Sequence, residues 1–197
     1  MNDDVVVSVL CTAYNHEKYI RSALDGFVNQ KTNFRYEVLI NDDASTDHTA
    51  AIIAEYEAKY PDIIKPVYQT ENQYSKGVFI TKSILFPRSK GKYTAICEGD
   101  DYWCDENKLQ KQVDFLESHE EYAACVHNTG CWTAARAVRG RCIKENRIVI
   151  SHSRRSSITV QPVSIRPRFY AGESGSAYRM NSEQMDSVII RVQFICG

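Results

Sequence analysis

Glu98, Asp100 and Asp101 crowd the run Cys97-Glu98-Gly99-Asp100-Asp101-Tyr102-Trp103, directly after the apolar stretch Tyr93-Thr94-Ala95-Ile96. Ionised carboxylates this close raise one another's pKa unless a cation or strong donors offset the repulsion. Two chemistries fit such a cluster. One is an acidic clamp for a hard divalent cation that bridges to a phosphate. The other is a solvated acidic turn ahead of a helix whose N-terminus favours negative charge. Two more polar clusters also follow apolar runs: Thr12-Ala13-Tyr14-Asn15 and Asn41-Asp42-Asp43.

The elements that position these clusters alternate strand with helix. Val5 to Cys11 is β-branched and continuous, the pattern of a strand buried on both faces. Ile20, Ala23, Leu24 and Phe27 then recur at helical spacing. Tyr36 to Ile40 is a second strand, after which Ser45, Thr46 and Asp47 are helix-capping types. Ile52, Ile53, Tyr56 and Tyr60 mark the second helix, ended by Pro61. Ile63 to Tyr68 is a third strand, and Pro66 sends it to an edge. A short helix is expected from Lys76 to Leu85 and a turn from Pro87 to Gly91. Tyr93 to Cys97 is the fourth strand. Asp105 caps a helix with the stripe Leu109, Val113 and Leu116, and Ala123 to Val126 begins a fifth strand. Strands joined by helices imply a mostly parallel sheet, whose ligands bind at the strands' carboxyl ends. All three polar clusters fall on such ends.

Composition bounds the setting. The chain's 197 residues suit one α/β domain, with 24 Lys and Arg against 25 Asp and Glu and a formal net charge of −1. That balance argues against wholesale nucleic-acid binding. The acidic start Met1-Asn2-Asp3-Asp4 and the short apolar run after it do not read as a signal peptide, and no stretch has the length of a transmembrane segment. Seven cysteines include Cys11, Cys97 and Cys125 in apolar runs, where the reduced thiol is a small hydrophobe, so a cytoplasmic location is expected. With no CxxC pair or histidine cluster, zinc is not expected.

The stretch from Val7 through Thr12-Ala13-Tyr14-Asn15-His16-Glu17 to Ile20 resembles the opening strand and loop of family 2 glycosyltransferases with the GT-A fold. Glu37 to Asp47 resembles their second motif, and Glu98 to Trp103 resembles their acidic DXD-type site. The resemblance covers the first two-thirds of the chain and implies a Rossmann-like, mostly parallel sheet with helices on both faces. It implies donor binding by Thr12, Ala13, Tyr14, Asn15, Asp42, Asp43 and Asp100, with Thr12, Ala13 and Tyr14 along nucleobase and ribose. Tyr14 also admits a plain core-packing role, Asp43 a role in its own turn, and Asp47 reads as a helix cap. Asp100 and Asp101 would hold Mn²⁺ or Mg²⁺; Glu98 replaces the aspartate often found at its position. The implied reaction transfers a sugar, most simply from a UDP donor, to a hydroxyl of a glycan or lipid-linked carrier with inversion.

The family draws its catalytic base from beyond the fifth strand, where this chain changes character. Residues 1–134 read as the nucleotide-sugar-binding domain. Residues 135–197 turn arginine-rich, as in Arg136, Arg139, Arg141, Arg154 and Arg155, and serine-rich at Ser151, Ser153, Ser156 and Ser157. A reading-frame shift near 130–136, a divergent acceptor-side subdomain, and a basic tail that makes peripheral membrane contact all account for this. Without the family's acceptor half, a sheet edge would be left open. His127 and Asn128 at the end of the fifth strand are candidates to touch a sugar, and Glu145, Glu173 and Asp186 are bases by residue type alone. A phosphoacceptor receiver domain lacks its lone aspartate and later lysine here. A noncatalytic nucleotide-sugar-binding module remains the alternative to an enzyme.

Overall fold

A computed structural model describes residues 4–120, 122, 124–126, 149–150 and 188–191. The chain order is β1 (Val5–Ala13), α1 (Ile20–Val28), β2 (Arg35–Asp42), α2 (Thr49–Lys59), β3 (Ile64–Tyr68), β4 (Tyr93–Ile96), α3 (Lys108–Ser118), β5 (Ala124–Val126), β6 (Val149–Ile150) and β7 (Val188–Arg191). These strands form one sheet in the order β3-β2-β1-β4-β7-β5-β6. β3, β2, β1 and β4 are parallel, in registers that bring Ala13 beside Asp42, Leu10 beside Ile96 and Asp42 beside Tyr68.

β3 lies at the edge, as Pro66 requires, because proline cannot donate to a second neighbour. Beyond β4 the sheet continues: β7 pairs antiparallel with both β4 and β5, and β6 pairs antiparallel with β5. The open edge expected beside the donor half is therefore absent at β4. Its cover comes from residues 188–191, within a β-branched run (Val188-Ile189-Ile190) that has the composition of a strand.

Alternation along the strands sorts the core into two layers. Val7, Val9, Cys11 and Ala13 of β1 join Val38 and Ile40 of β2 and Ala95 of β4 on one face. There they bury Ile20, Ala23, Leu24 and Phe27 of α1, Ile52, Ile53 and Tyr56 of α2, and Leu109, Val113 and Leu116 of α3. The opposite face carries Leu10 and Leu39, packed against Ile80 and Leu85. The expected helix over 76–85 is instead three short turns: a 3₁₀ turn at Tyr74–Lys76, a π-helical turn at Thr81–Leu85 and a 3₁₀ turn at Phe86–Arg88. Gly77, with φ of 79°, breaks the first from the rest. Cys11, Cys97 and Cys125 are buried thiols, and no helix among the described residues is long and apolar enough to cross a membrane.

Candidate functional site

The chain steps outward from β1 to β2 to β3, then returns past β1 to place β4 on its other side. The strand order thus reverses between β1 and β4, and the carboxyl ends there flank the crevice in which open α/β sheets bind ligands. Backbone hydrogen bonds tie the polar clusters into one rim. Cys97 N donates to Leu10 O (3.2 Å), Gly99 N to Thr12 O (2.9 Å) and Asp43 N to Ala13 O (2.9 Å). Thr12–Asn15, Asn41–Asp43 and Glu98–Asp101 are therefore neighbours in space.

The two aspartates ending β2 have different work. Asp43 is buried, and both its oxygens accept backbone donors, from Gln73 N (2.8 Å) and Tyr74 N (3.0 Å), so it anchors the loop after β3. Asp42 is also buried. Its Oδ2 accepts from Ser45 N at 3.2 Å, while Oδ1 has no hydrogen-bond partner among the described residues. A buried carboxylate oxygen left this way costs stability, and it offers an acceptor to a donor group entering the rim. Ala44, next in the chain, has φ of 61°. An alanine in the left-handed region is strained, and such strain concentrates at functional sites.

The first loop is pinned to the second. Asn15, at φ of 56°, donates its N–H to Ser45 Oγ (2.9 Å) and accepts from Thr46 N (2.8 Å) at Oδ1. Asp47 accepts from Glu17 N (3.1 Å) and from Thr49 N (2.9 Å), serving the start of α2 as its residue type indicates. Burial would raise its pKa, but hydrogen bonds from Thr49 and Glu17 outweigh that and lower it. Tyr14 is 44% exposed beside the rim, so the core-packing role does not apply.

The acidic turn repels itself. Burial, then Asp100 and Asp101, push the Glu98 carboxyl up. Burial and Asp100 likewise raise Asp101, against a smaller opposite pull from His16. Glu98, Asp100 and Asp101 are all exposed enough to be reached by a ligand. Among the described residues no three His, Cys, Asp or Glu side chains converge into a metal cage.

Residue types alone did not single out three features under this turn. His16 donates its backbone N–H to Thr49 Oγ1 (2.8 Å), and its ring Nδ1 is buried without a hydrogen-bond partner among the described residues. A Cβ on Gly99 would lie 2.9 Å from that nitrogen, so the glycine lets the turn approach the histidine. Trp103 packs edge-on against Phe27, with centroids 4.9 Å apart. Lys108 is buried with Nζ 4.0 Å from the Trp103 ring centre and 2.7 Å from Gln112 Oε1, and Gln112 Nε2 reaches Cys125 O at 3.3 Å. Lys108 and Gln112, four apart and beside the stripe of α3, were the available signal: polar residues on a face that must be buried. His127, Asn128, Glu145, Glu173 and Asp186 lie outside the described residues.

The sequence motifs, the reversal in strand order and the acidic turn together match the GT-A glycosyltransferase fold. The description "Glycosyl transferase family 2" matches residues 8–160, and the chain belongs to that family. An uncharacterized protein of Mycobacterium tuberculosis is 47% identical over 121 residues, which are 61% of this chain and 34% of that protein. The putative teichuronic acid biosynthesis glycosyltransferase TuaG of Bacillus subtilis is 34% identical over 111 residues, 56% of this chain and 42% of TuaG. Among solved structures, S. aureus TarS in complex with UDP-GlcNAc aligns with a TM-score of 0.55 at 26% identity, over 72% of this chain and 39% of the TarS chain. Mannosyltransferase PcManGT from Pyrobaculum calidifontis, in complex with GDP-Man and Mn²⁺, aligns with a TM-score of 0.53 at 25% identity, over 62% of this chain and 35% of that one. The chain spans well under half the length of each of these proteins. Its fold is the α/β GT-A fold they share.

Proposed function

We propose that the rim binds a nucleoside-diphosphate sugar, with UDP as the nucleotide, and that the protein transfers the sugar to a hydroxyl of a glycan or lipid-linked carrier with inversion. The observation that carries this reading is the meeting, at the reversal in strand order, of a buried unpartnered Asp42 oxygen with three mutually repelling carboxylates. In this reading residues 1–134 form the donor unit and residues 135–197 the acceptor side.

Each donor-site residue has a task set by its position. Asp42 Oδ1 accepts a hydrogen bond from base or ribose. The Tyr14 ring, exposed beside the rim, packs on the nucleoside, while Thr12 and Ala13 line it with backbone groups. Asn15 and Asp43 act by fixing the two loops, through the bonds to Ser45, Thr46, Gln73 and Tyr74.

Asp100 and Asp101 fit a divalent cation, Mn²⁺ or Mg²⁺. Their repulsion, which raises Asp101, is relieved by positive charge. A pair of carboxylates suits ions that complete their shell with substrate phosphates and water. Bound there, such an ion neutralises charge that develops on the diphosphate leaving group. The base that takes the acceptor's proton comes, in this reading, from the segment beyond β5.

A panel of nucleotide sugars screened for thermal stabilisation with Mn²⁺, followed by measurement of released nucleoside diphosphate, tests the proposal. The expected result is stabilisation by one UDP-sugar and release of UDP in the presence of acceptor. Stabilisation without release would make the protein a binding module, and the absence of both stabilisation and release would overturn the reading.

A further inference from the structure

On the second face of the sheet, Ile80 and Leu85 pack on Leu10 and Leu39, and the segment that carries them has an exposed outer side. Residues 72–97 contain Lys76, Lys82, Arg88, Lys90 and Lys92 and no Asp or Glu, in a chain whose formal net charge is −1. The cation excess is therefore local. Within the same stretch three large side chains face solvent: Tyr74 is 75% exposed, Phe79 50% and Phe86 41%.

The backbone explains why Phe79 and Phe86 are exposed together. From Ile80 to Arg88 the chain stays in right-handed helical conformation, through the π-helical and 3₁₀ turns. Ile80 and Leu85 face inward on Leu10 and Leu39. Phe79, Lys82 and Phe86, at intervals of three and four, are left on the exposed side. Lys76 pairs with Glu71. Lys92 pairs with Glu117. The charged side-chain groups of Lys82, Arg88 and Lys90 have no carboxylate partner among the described residues, although the Lys90 backbone N–H donates to Glu37 Oε1 at 3.0 Å and Arg88 Nη1 donates to Ile84 O at 2.6 Å.

Exposed Phe79 and Phe86 interleaved with Lys82, and followed by Arg88 and Lys90, match the physics of an interfacial segment. The rings enter the boundary between headgroups and acyl chains while the cations remain among the anionic headgroups. We propose that the outward side of residues 74–90 is a docking surface for an anionic lipid bilayer. Nucleic acid shares the phosphate charge, but the exposed phenylalanines then stay hydrated unless bases stack on them, whereas a bilayer satisfies ring and cation at once. The inference does not depend on the donor reading, since lipid binding needs no nucleotide.

Sedimentation of the full chain with phosphatidylcholine vesicles, with and without phosphatidylglycerol, tests it. Binding to the phosphatidylglycerol vesicles is expected, weakening as salt is raised, with none to phosphatidylcholine alone. The variant K82Q/R88Q/K90Q should bind on the order of a hundredfold more weakly, from about 1 kcal/mol for each cation near the surface. F79S/F86S should bind several-fold more weakly with its charge intact; each variant is checked for unchanged thermal unfolding. Absence of binding to phosphatidylglycerol vesicles at low salt overturns the proposal. So does equal binding to phosphatidylcholine, or undiminished binding by a folded charge variant. Tighter binding to single-stranded RNA than to the vesicles would assign the surface to nucleic acid instead.

Discussion

Replacing Gly26 by alanine sets two general effects against each other, and the structure decides the sign. Gly26 lies inside α1, where alanine ordinarily stabilises a helix by about 0.5–1 kcal/mol relative to glycine. A Cβ at this position would sit 2.8 Å from Trp103 O and 3.0 Å from Trp103 N. Those are backbone atoms, and no rotamer change relieves them. The Trp103 segment must withdraw from α1 by several tenths of an ångström, and overpacking of this kind costs about 1–3 kcal/mol. Net destabilisation of about 1–2 kcal/mol is expected. For a protein of this size each kcal/mol lowers the melting temperature by about 2–4 °C. Because Trp103 follows Asp101 by two residues, nucleotide affinity should fall with it. Urea denaturation of the wild type and Gly26→Ala, read as a midpoint shift at constant slope, measures the effect. A variant as stable as the wild type, or more stable, would refute the claim that α1 and the Trp103 backbone are in obligatory close contact.

The two aspartates of β2 should separate function from stability. Asp43→Ala removes the acceptor of two backbone amides and should cost about 2–4 kcal/mol in denaturant titration. Asp42→Ala loses one bond to Ser45 N, and should leave the midpoint nearly unchanged while lowering UDP affinity at least about tenfold in calorimetry. Lys108 supplies a pH signature. Burial lowers its ammonium from 10.5 to about 8, against an opposite pull from Cys97, Cys125 and Asp105. Between those values the folded state binds fewer protons than the unfolded one, so this group makes stability rise with pH, by at most about 1.4 kcal/mol per unit. The difference between wild-type and Lys108→Met denaturation midpoints should therefore drift in the wild type's favour from pH 7 to pH 9.5; a constant difference contradicts the buried cation.

Local pattern and rim chemistry made much of this protein legible. The stripe Ile20, Ala23, Leu24 and Phe27 is the buried face of α1 because helical periodicity is written in residue spacing. Pro66 marked the edge strand because its missing N–H is a local fact. Asp42 and the Glu98–Asp101 turn stood out because carboxylates at strand ends are costly without a purpose. Contacts across the fold were not legible. Asp43 as anchor of the Gln73–Tyr74 amides, His16 against Gly99, and Lys108 on Trp103 each depend on which distant segments meet. The expected helix from Lys76 to Leu85 misled because its apolar residues suit a helix, while Gly77, in the left-handed region, ends the first turn and the helical run begins only at Ile80. The β-branched run at β7 carried a strand signal that was missed, while its place between β4 and β5 depends on which distant segments meet.

The central claim is that the Glu98–Asp101 turn and the β2 end form a metal-dependent nucleotide site. Calorimetric titration of UDP into the full chain, with Mn²⁺ and then with excess chelator, tests it most directly when repeated on Asp101→Ala. Binding that requires Mn²⁺ and disappears in Asp101→Ala is the predicted result; UDP affinity indifferent to both the chelator and the substitution would contradict it.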